Sequence, residues 1–169
     1  NVRSYYGRRL LAERLSRQAV EHLQRSVELD GTNITARLAL ADAQVQLRRY
    51  PAARQTLADS EISGAAADTE ELARLLSLID FGTGDRVAAV KRLRAGLAKH
   101  ETSTKLRRTL ADVYLSERSF TNALPVLEEL VKLAPKDRNI PGVLASVYGE
   151  VGRLDDALKL FDEQVSANP

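Results

Sequence analysis

Apolar and polar residues recur along the chain with the spacing of amphipathic helices. After Ala123, for example, large apolar residues follow at Leu127, Leu130 and Val131, and steps of three and four place them on one face of a helix. The same spacing returns in segment after segment, with short breaks between. The pattern predicts ten helices, near residues 2–14, 17–29, 35–48, 51–62, 70–81, 86–99, 104–117, 120–133, 139–151 and 154–167.

The predicted helices form pairs that repeat along the chain. An alanine recurs at intervals of 34 or 36 residues, a large apolar residue follows it by four positions, and a small residue precedes it by twelve. Two helices that cross closely cannot both present bulky side chains at the crossing, so the pattern predicts five helical hairpins. The alanines are Ala19, Ala53, Ala89, Ala123 and Ala157, the residues after them are Leu23, Leu57, Leu93, Leu127 and Phe161, and the small residues are Gly7, Ala41, Ser77, Ala111 and Ala145.

Glycine and proline fall at the predicted helix ends. Pro51 lies where a second helix should begin, and in the first turn its missing N–H costs nothing. Gly82, Gly84 and Gly152 mark turns between the first and second helix of a hairpin. Two extra residues around 63–67 account for the longer interval and are expected to lengthen one loop.

A helix–turn–helix unit of 34 residues, with small residues in both helices and a closing proline, resembles the tetratricopeptide repeat, TPR. The third repeat departs most from the family pattern, because Asp80 stands where the family has an aromatic residue. The match is best in residues 104–137, which carry Leu110, Ala111, Tyr114, Phe120, Ala123 and Pro135.

The resemblance implies an all-α fold, an α-solenoid of about five TPR hairpins in a right-handed superhelix. In such a superhelix the first helix of each hairpin lines a concave groove. We expect residues 1–169 to form a single TPR domain, with repeats at approximately 1–33, 34–69, 70–103, 104–137 and 138–169. Because both terminal hairpins look uncapped and the chain has no Met, we read it as a piece of a longer repeat array.

Composition and charge exclude several classes of protein. The absence of cysteine removes disulfides, thiolate nucleophiles and cysteine metal sites. A net charge of +2 gives no global reason to expect nucleic acid or an acidic membrane surface. The charge is nevertheless segregated, with a net +5 in residues 1–54, −6 in 55–85, +7 in 86–108 and −4 in 109–169. No apolar run approaches the ~20 residues that span a bilayer.

Residues that could carry catalysis are sparse. The two histidines, His22 and His100, both fall on second helices and lack a matching ligand one turn away. Adjacent acids such as Asp155 and Asp156 point in different directions around a helix, which makes them poor partners for acid–base work. The sequence therefore predicts no enzyme activity, no cofactor and no metal site.

The resemblance assigns a set of first-helix residues to the groove. Arginines beside exposed apolar side chains are typical of a binding hot spot for a protein or peptide. We therefore expect a non-catalytic scaffold that binds a partner protein or peptide, in a bacterial envelope assembly such as polysaccharide export or pilus biogenesis. The predicted groove residues are Arg8, Asp42, Arg74, Leu78, Phe81, Arg108, Asp112 and Leu115.

Three alternatives stay open at this point. Leu78 and Phe81 could serve only to pack neighbouring helices. The chain could be a spacer or oligomerisation segment, whose uncapped ends pair with another copy. The basic stretch 86–108 could bind a polyanion, although it lacks the interleaved aromatics that stack on bases, which argues against nucleic acid.

Overall fold

The computed structural model describes residues 2–58 and 69–167, and in that part of the chain it contains ten α-helices. Within these residues their positions confirm the helices predicted from the spacing, and the predicted end of the fourth helix, 59–62, lies outside them. The loop expected to be lengthened around residues 63–67 lies outside the described residues. The helices are α1 (Val2–Ala12), α2 (Ser16–Leu29), α3 (Ile34–Gln46), α4 (Tyr50–Ala58), α5 (Glu70–Gly82), α6 (Arg86–Lys99), α7 (Thr104–Ser116), α8 (Phe120–Leu133), α9 (Asn139–Glu150) and α10 (Leu154–Ala167).

Three of the odd-numbered helices begin at a polar capping residue. Asn33, Thr69 and Ser103 precede α3, α5 and α7. Each side-chain oxygen accepts a hydrogen bond from the backbone N–H three residues later, at 3.0, 3.2 and 3.1 Å respectively. These bonds satisfy N–H groups that have no partner inside the helix. The same cap thus fixes the start of the first helix in three successive repeats.

The turn inside each hairpin has one geometry, which is used five times. A residue just after the first helix has a positive φ, and the next N–H bonds back five residues, as in a Schellman turn. After α3, for example, the Arg48 N–H donates to the Val45 carbonyl at 2.9 Å and the Arg49 N–H donates to the Gln44 carbonyl at 2.8 Å. The positive φ values are 61° at Arg14, 57° at Arg48, 94° at Gly84, 55° at Arg118 and 78° at Gly152.

Gly84 and Gly152 therefore confirm the turns predicted from the sequence. Gly82 does not form a turn: it is the last residue of α5, and a Cβ there would overlap the Tyr50 ring. Glycine adopts a positive φ without strain, whereas in an arginine the Cβ crowds the backbone at some cost in energy. Arginine at the other three positions gave no turn signal. The hydrogen bonds of the turn hold those residues in the left-handed conformation all the same.

The described contacts divide the chain into two compact units, Asn1–Arg92 and Leu93–Pro169, called here the first and second unit. In the first unit α1 packs on α2, α2 on α3, and α3 on α4, α1 and α5. One buried cluster includes Leu10, Ala19, Leu23, Leu40 and Ala43. The second apolar cluster, next along the chain, includes Ala41, Ala53, Leu57, Leu75 and Ile79.

Close helix crossing explains the small residues of the pattern. A Cβ on Gly7 would lie 2.6 Å from Cγ of Leu23, which is fully buried. The five repeat alanines are all buried, from 0% exposed at Ala19 to 8% at Ala157. In the first hairpin the predicted close crossing is confirmed, because no side chain larger than that of Gly7 fits without displacing Leu23.

In the second unit α7 packs on α8, α8 on α9, and α9 on α10. Leu106, Leu110, Leu127, Leu130 and Leu144 form its buried apolar interior. Within the described segments 2–58 and 69–167, no helix combines the length and apolar character needed to cross a membrane.

Candidate functional site

The first helices of the first unit form one continuous face, since α3 contacts both α1 and α5. This first-helix face carries residues that the sequence assigned to a groove. Arg8 is exposed on α1, while Leu78 and Phe81 are half-buried on α5. Leu38 and Val45 of α3 are also half-buried and pack on the second apolar cluster. The face therefore presents apolar side chains that are partly accessible to solvent.

An ion network lies across this face and ties α5 to α3. The Arg74 guanidinium donates to Asp42 Oδ1 at 2.9 Å, and to the two carboxylate oxygens of Glu71 at 2.7 and 3.1 Å. The Arg74 and Asp42 side chains are only 20% and 19% exposed. Burial alone lowers the pKa of Arg74, but the bond and charge of Glu71 and the charge of Asp42 outweigh it and raise the pKa. Arg74 is thus a permanent, fixed cation.

This network brings two of the predicted groove residues, Asp42 and Arg74, into direct contact. Glu71, the third member, was missed by sequence reasoning, although its position three residues before Arg74 is a recognised pairing distance on a helix. With two carboxylates on one guanidinium, the network has one more acidic than basic group. Arg74 is therefore held in place by its own chain, and its charge is compensated there.

The remaining predicted residues lie in the second unit. The Arg108 guanidinium donates to Asp137 Oδ2 at 2.7 Å, which links α7 to the residues just before α9. Leu115 is half-buried and Asp112 is exposed, one helical turn from Arg108. Desolvation raises the pKa of the Asp112 carboxyl, and the charge of Arg108 acts in the opposite direction. The hydrogen bond from the backbone N–H of Asn139, followed by that from Arg108, lowers the pKa of Asp137.

A buried carboxylate on α5 joins three helices. The Asp80 side chain is 5% exposed and accepts from Arg54 of α4 at 2.6 Å and from Arg92 of α6 at 2.9 Å. The sequence singled out Asp80 only as a departure from an aromatic position. Charge type alone gave no indication of the two arginines, because they lie 26 residues before and 12 residues after it.

The position of Asp80 is polar in the neighbouring repeats as well. Gln44 Oε1 accepts from the Thr56 hydroxyl at 2.9 Å, the Tyr114 hydroxyl accepts from Arg94 at 2.9 Å, and the Tyr148 hydroxyl donates to Glu128 at 3.0 Å. Each of these polar tips is buried and bonded to a second helix, as the cost of an unpaired buried group requires. These bonds join adjacent helices.

The basic stretch 86–108 makes many of its bonds within the chain. Within this stretch the two adjacent arginines Arg107 and Arg108 pair with Glu129 and Asp137, at 3.0 and 2.7 Å. Arg92 and Arg94 bond to Asp80 and Tyr114, as described above. These bonds favour a paired, solvated helix surface over a cluster of cations aimed at a polyanion.

His22 lies in an aromatic contact. Its ring meets the Tyr6 ring edge-on, with 4.8 Å between the centroids. In the part of the chain that the structure describes, no three His, Asp or Glu side chains come together in an arrangement that could hold a metal ion.

Comparison with known proteins identifies the class. Residues 10–79 match the tetratricopeptide repeat family. They run from the last turn of α1 to the last turn of α5. No curated protein sequence matches the chain. Residues 10–79 thus carry tetratricopeptide repeats, and the helical hairpins along the described chain have the α-solenoid fold of solved TPR proteins. Both findings support a protein–protein interaction scaffold, a class that is generally non-catalytic.

Solved structures share this fold. A thermophilic TPR protein of Thermus thermophilus is 24% identical, with a TM-score of 0.75 over 86% of this chain and 79% of that one. PilF of Pseudomonas aeruginosa is 15% identical, with a TM-score of 0.76 over 99% of this chain and 76% of that one. MamA of Desulfovibrio magneticus is 13% identical, with a TM-score of 0.69 over 98% and 92%. At these identities the likeness concerns the fold alone.

Proposed function

We propose that the chain binds a segment of a partner protein on the first-helix face of its first unit. The observation that carries the proposal is the placement of half-buried apolar residues beside a fixed ion network on the same helices. Leu78 and Phe81 follow Arg74 by one and two turns of α5, and Leu38 precedes Asp42 by one turn of α3. Apolar anchors next to ordered charges are the arrangement that binding hot spots use.

The apolar residues supply the binding energy in this proposal. A side chain of the partner that covers Leu38, Leu78 and Phe81 removes apolar surface from water, at roughly 25 cal/mol per Å². Because Leu38 already packs on the second apolar cluster, it loses little side-chain freedom when the partner arrives.

The ion network supplies orientation rather than net attraction. Asp42, Arg74 and Glu71 are held at 2.7–2.9 Å before any partner binds. A partner can therefore add polar contacts to ordered groups, and the slight excess of acid favours a basic side chain or a backbone N–H at this point. Arg8, exposed on α1, extends the polar rim.

The second unit contributes a separate set in the proposal. Arg108, Asp112 and Leu115 lie on α7, where Arg108 is oriented by Asp137. They repeat the combination of an oriented arginine, an acid and a half-buried leucine found on α5 and α3. This second set is therefore proposed to bind a partner segment by itself, in the same way.

A narrower role in a bacterial envelope assembly, such as polysaccharide export or pilus biogenesis, is the second part of the proposal. It draws on the composition, in which 19 arginines stand against 6 lysines, as in proteins encoded by GC-rich bacterial genes. Fractionation of the source cell, followed by detection of the chain with an antibody, tests this part. Recovery with envelope complexes supports it, and recovery in the cytosol alone contradicts it.

A comparative capture experiment tests the binding face. The wild-type chain is immobilised beside the double variant Leu78→Ser, Phe81→Ser and beside Val87→Ser, an exposed control that is 81% accessible on α6. We expect a protein that wild type and the control retain and the double variant loses at least tenfold. The segment responsible is then titrated as a peptide by calorimetry. Equal retention by all three chains overturns the assignment to this face.

A further inference from the structure

Two exposed apolar faces lie on the first and the last hairpin of the structure. On α1, Val2, Tyr5 and Tyr6 are 83%, 60% and 48% exposed; these form the head face. On α10, Leu154, Leu158 and Phe161 are 63%, 63% and 53% exposed; these form the tail face. The three tail residues are spaced by four and three, so they make one stripe along the helix.

The head face occupies positions that the other repeats bury. One repeat later, the residues that correspond to Tyr5 and Tyr6 are Ala39 and Leu40, which are 9% and 4% exposed. Both belong to the cluster through which α3 packs on the preceding hairpin. In α1 the same positions carry larger apolar side chains and remain exposed.

The tail face occupies the matching positions on the other side of that contact. Four repeats earlier, Phe161 corresponds to Leu23, which is fully buried in the same cluster, and Leu158 corresponds to Val20, which packs against it. Within the chain, α2 and α3 therefore already make this contact. Helix α2 contributes the positions that correspond to the tail face, and α3 contributes those that correspond to the head face.

The charges of the two helices are also complementary. Helix α1 carries Arg3, Arg8 and Arg9 and no acidic residue between Val2 and Ala12. Helix α10 carries more acid than base between positions 154 and 162, with the single base Lys159 against the acids Asp155, Asp156 and Asp162. A basic helix beside an acidic one favours the pairing of head with tail and disfavours head with head or tail with tail.

We propose that the tail face of one copy of this chain binds the head face of a second copy, reproducing between molecules the contact that α3 makes with the preceding hairpin. The contact is heterologous, so each added copy leaves one head and one tail free. The six apolar residues of the two faces are not among the apolar residues of the first-helix face, although Arg8 of α1 belongs to that face as well. The test uses the chain alone and does not depend on the proposed partner binding.

Sedimentation of the 169-residue chain over a range of concentrations gives the first result. We expect the mass to rise above 18.6 kDa with concentration and to continue past the dimer. Raised salt should weaken the association, because opposite charges on the two helices are screened. A wild-type chain that remains monomeric throughout overturns the proposal and assigns the faces to other occupants, such as neighbouring repeats of a longer chain or another protein.

Single variants then identify the faces. Tyr5→Glu places a charge in the head face and Leu158→Glu places one in the tail face. Each variant alone should therefore be a monomer. Val87→Glu adds the same charge at an apolar residue that is even more exposed and lies outside the two faces, and it should associate as wild type does. Circular dichroism and the unfolding midpoint check that each variant folds, with Val2→Glu and Phe161→Ser as second choices. Association of folded head and tail variants at the wild-type level overturns the proposal.

Mixing the two variants separates a head-to-tail contact from a symmetric one. The Tyr5→Glu chain keeps its tail and the Leu158→Glu chain keeps its head, so the mixture should form a one-to-one dimer and stop there. A mixture that stays monomeric overturns the head-to-tail arrangement, and so does one that grows beyond two chains.

Discussion

Gly7 and Leu23 meet at the crossing of α1 and α2, where a Cβ on Gly7 would lie 2.6 Å from Cγ and 2.9 Å from Cδ2 of Leu23. The leucine is fully buried and packs with Leu10 and Ala19, so it has no free space to move into. One missing methyl group therefore sets the distance between the two helices of the first hairpin.

Gly7→Ala should lower the free energy of unfolding by ~1–3 kcal/mol, the usual cost of inserting a methyl group into a packed core. Gly142→Ala is the matched control. It is also a helical glycine, but nothing lies within 4 Å of the Cβ it would gain. There alanine should stabilise by ~0.5–1 kcal/mol through helix propensity. Urea unfolding measures both, and equal effects of the same sign would contradict the crossing.

The repeated hairpin turn predicts stabilisation where arginine holds a positive φ. Arg48→Gly should raise the free energy of unfolding by up to ~1 kcal/mol, because relief of the left-handed strain exceeds the entropy that glycine costs. Lys91→Gly, at an exposed position inside α6, should instead destabilise by ~0.5–1 kcal/mol, because glycine there costs backbone entropy and relieves no left-handed strain. Thermal unfolding in parallel compares them; destabilisation by Arg48→Gly would argue against the turn geometry.

The buried carboxylate of α5 should matter for stability more than a surface acid does. Asp80→Asn leaves Arg54 and Arg92 without their charged acceptor and should cost ~1–3 kcal/mol, the range for hydrogen bonds to charged groups. The arginine side chains are 47% and 38% exposed, so water compensates part of the loss. Asp162→Asn, on an exposed face of α10, should change the free energy of unfolding by less than ~0.5 kcal/mol. Similar losses for both variants would remove the structural role of Asp80.

Acid should act on two carboxyls of the second unit with opposite signs. The pKa of Asp137 lies below its ordinary 3.8 in the folded chain, so its contribution is present above that pH and is lost as pH falls through the folded pKa. The pKa of Asp112 is raised, so its ionisation counts against the folded state as pH rises through the folded pKa.

Two variants separate these contributions. Asp137→Asn should reduce stability near neutral pH and flatten its fall below about pH 4. Asp112→Asn should increase stability near neutral pH and leave the acid end close to wild type. The free energy of unfolding between about pH 2 and 7, measured for both variants and wild type, decides the signs. Two variants that shift the profile in the same direction would contradict the assigned causes.

Local pattern was sufficient to predict the fold. The alanine and leucine positions recur at fixed intervals, and each carries the information for one helix face, so the ten helices and the close crossing at Gly7 followed from spacing. The arginine turns at Arg14 and Arg48 did not, because the backbone hydrogen bonds of the turn itself hold a residue there at positive φ even when it is not glycine.

The ionic contacts were beyond what spacing could predict. Arg74 and Asp42 are 32 residues apart, and Asp80 lies 26 residues from Arg54. Which of several acids lies next to an arginine depends on how successive hairpins stack, and the positions of charged residues in the sequence do not show this. The sequence therefore identified Arg74 as a groove residue without indicating that its charge is compensated.

That compensation makes charge reversal at Arg74 a test of stability. Arg74→Glu would place a third carboxylate against Asp42 and Glu71 on a surface that is about one-fifth exposed, and we expect a loss of at least ~1–3 kcal/mol. The swap Asp42→Arg, Arg74→Glu restores opposite charges across α3 and α5 and should recover more than half of that loss. Recovery should be incomplete, because Glu71 repels the new carboxylate on its own helix, although it also attracts the new guanidinium. A double-mutant cycle from urea unfolding measures the coupling. If the swap is no more stable than Arg74→Glu alone, the ion network does not hold the two helices together. In that case, loss of a partner protein by the Arg74→Glu chain would reflect a binding contact of Arg74 and not a loss of stability.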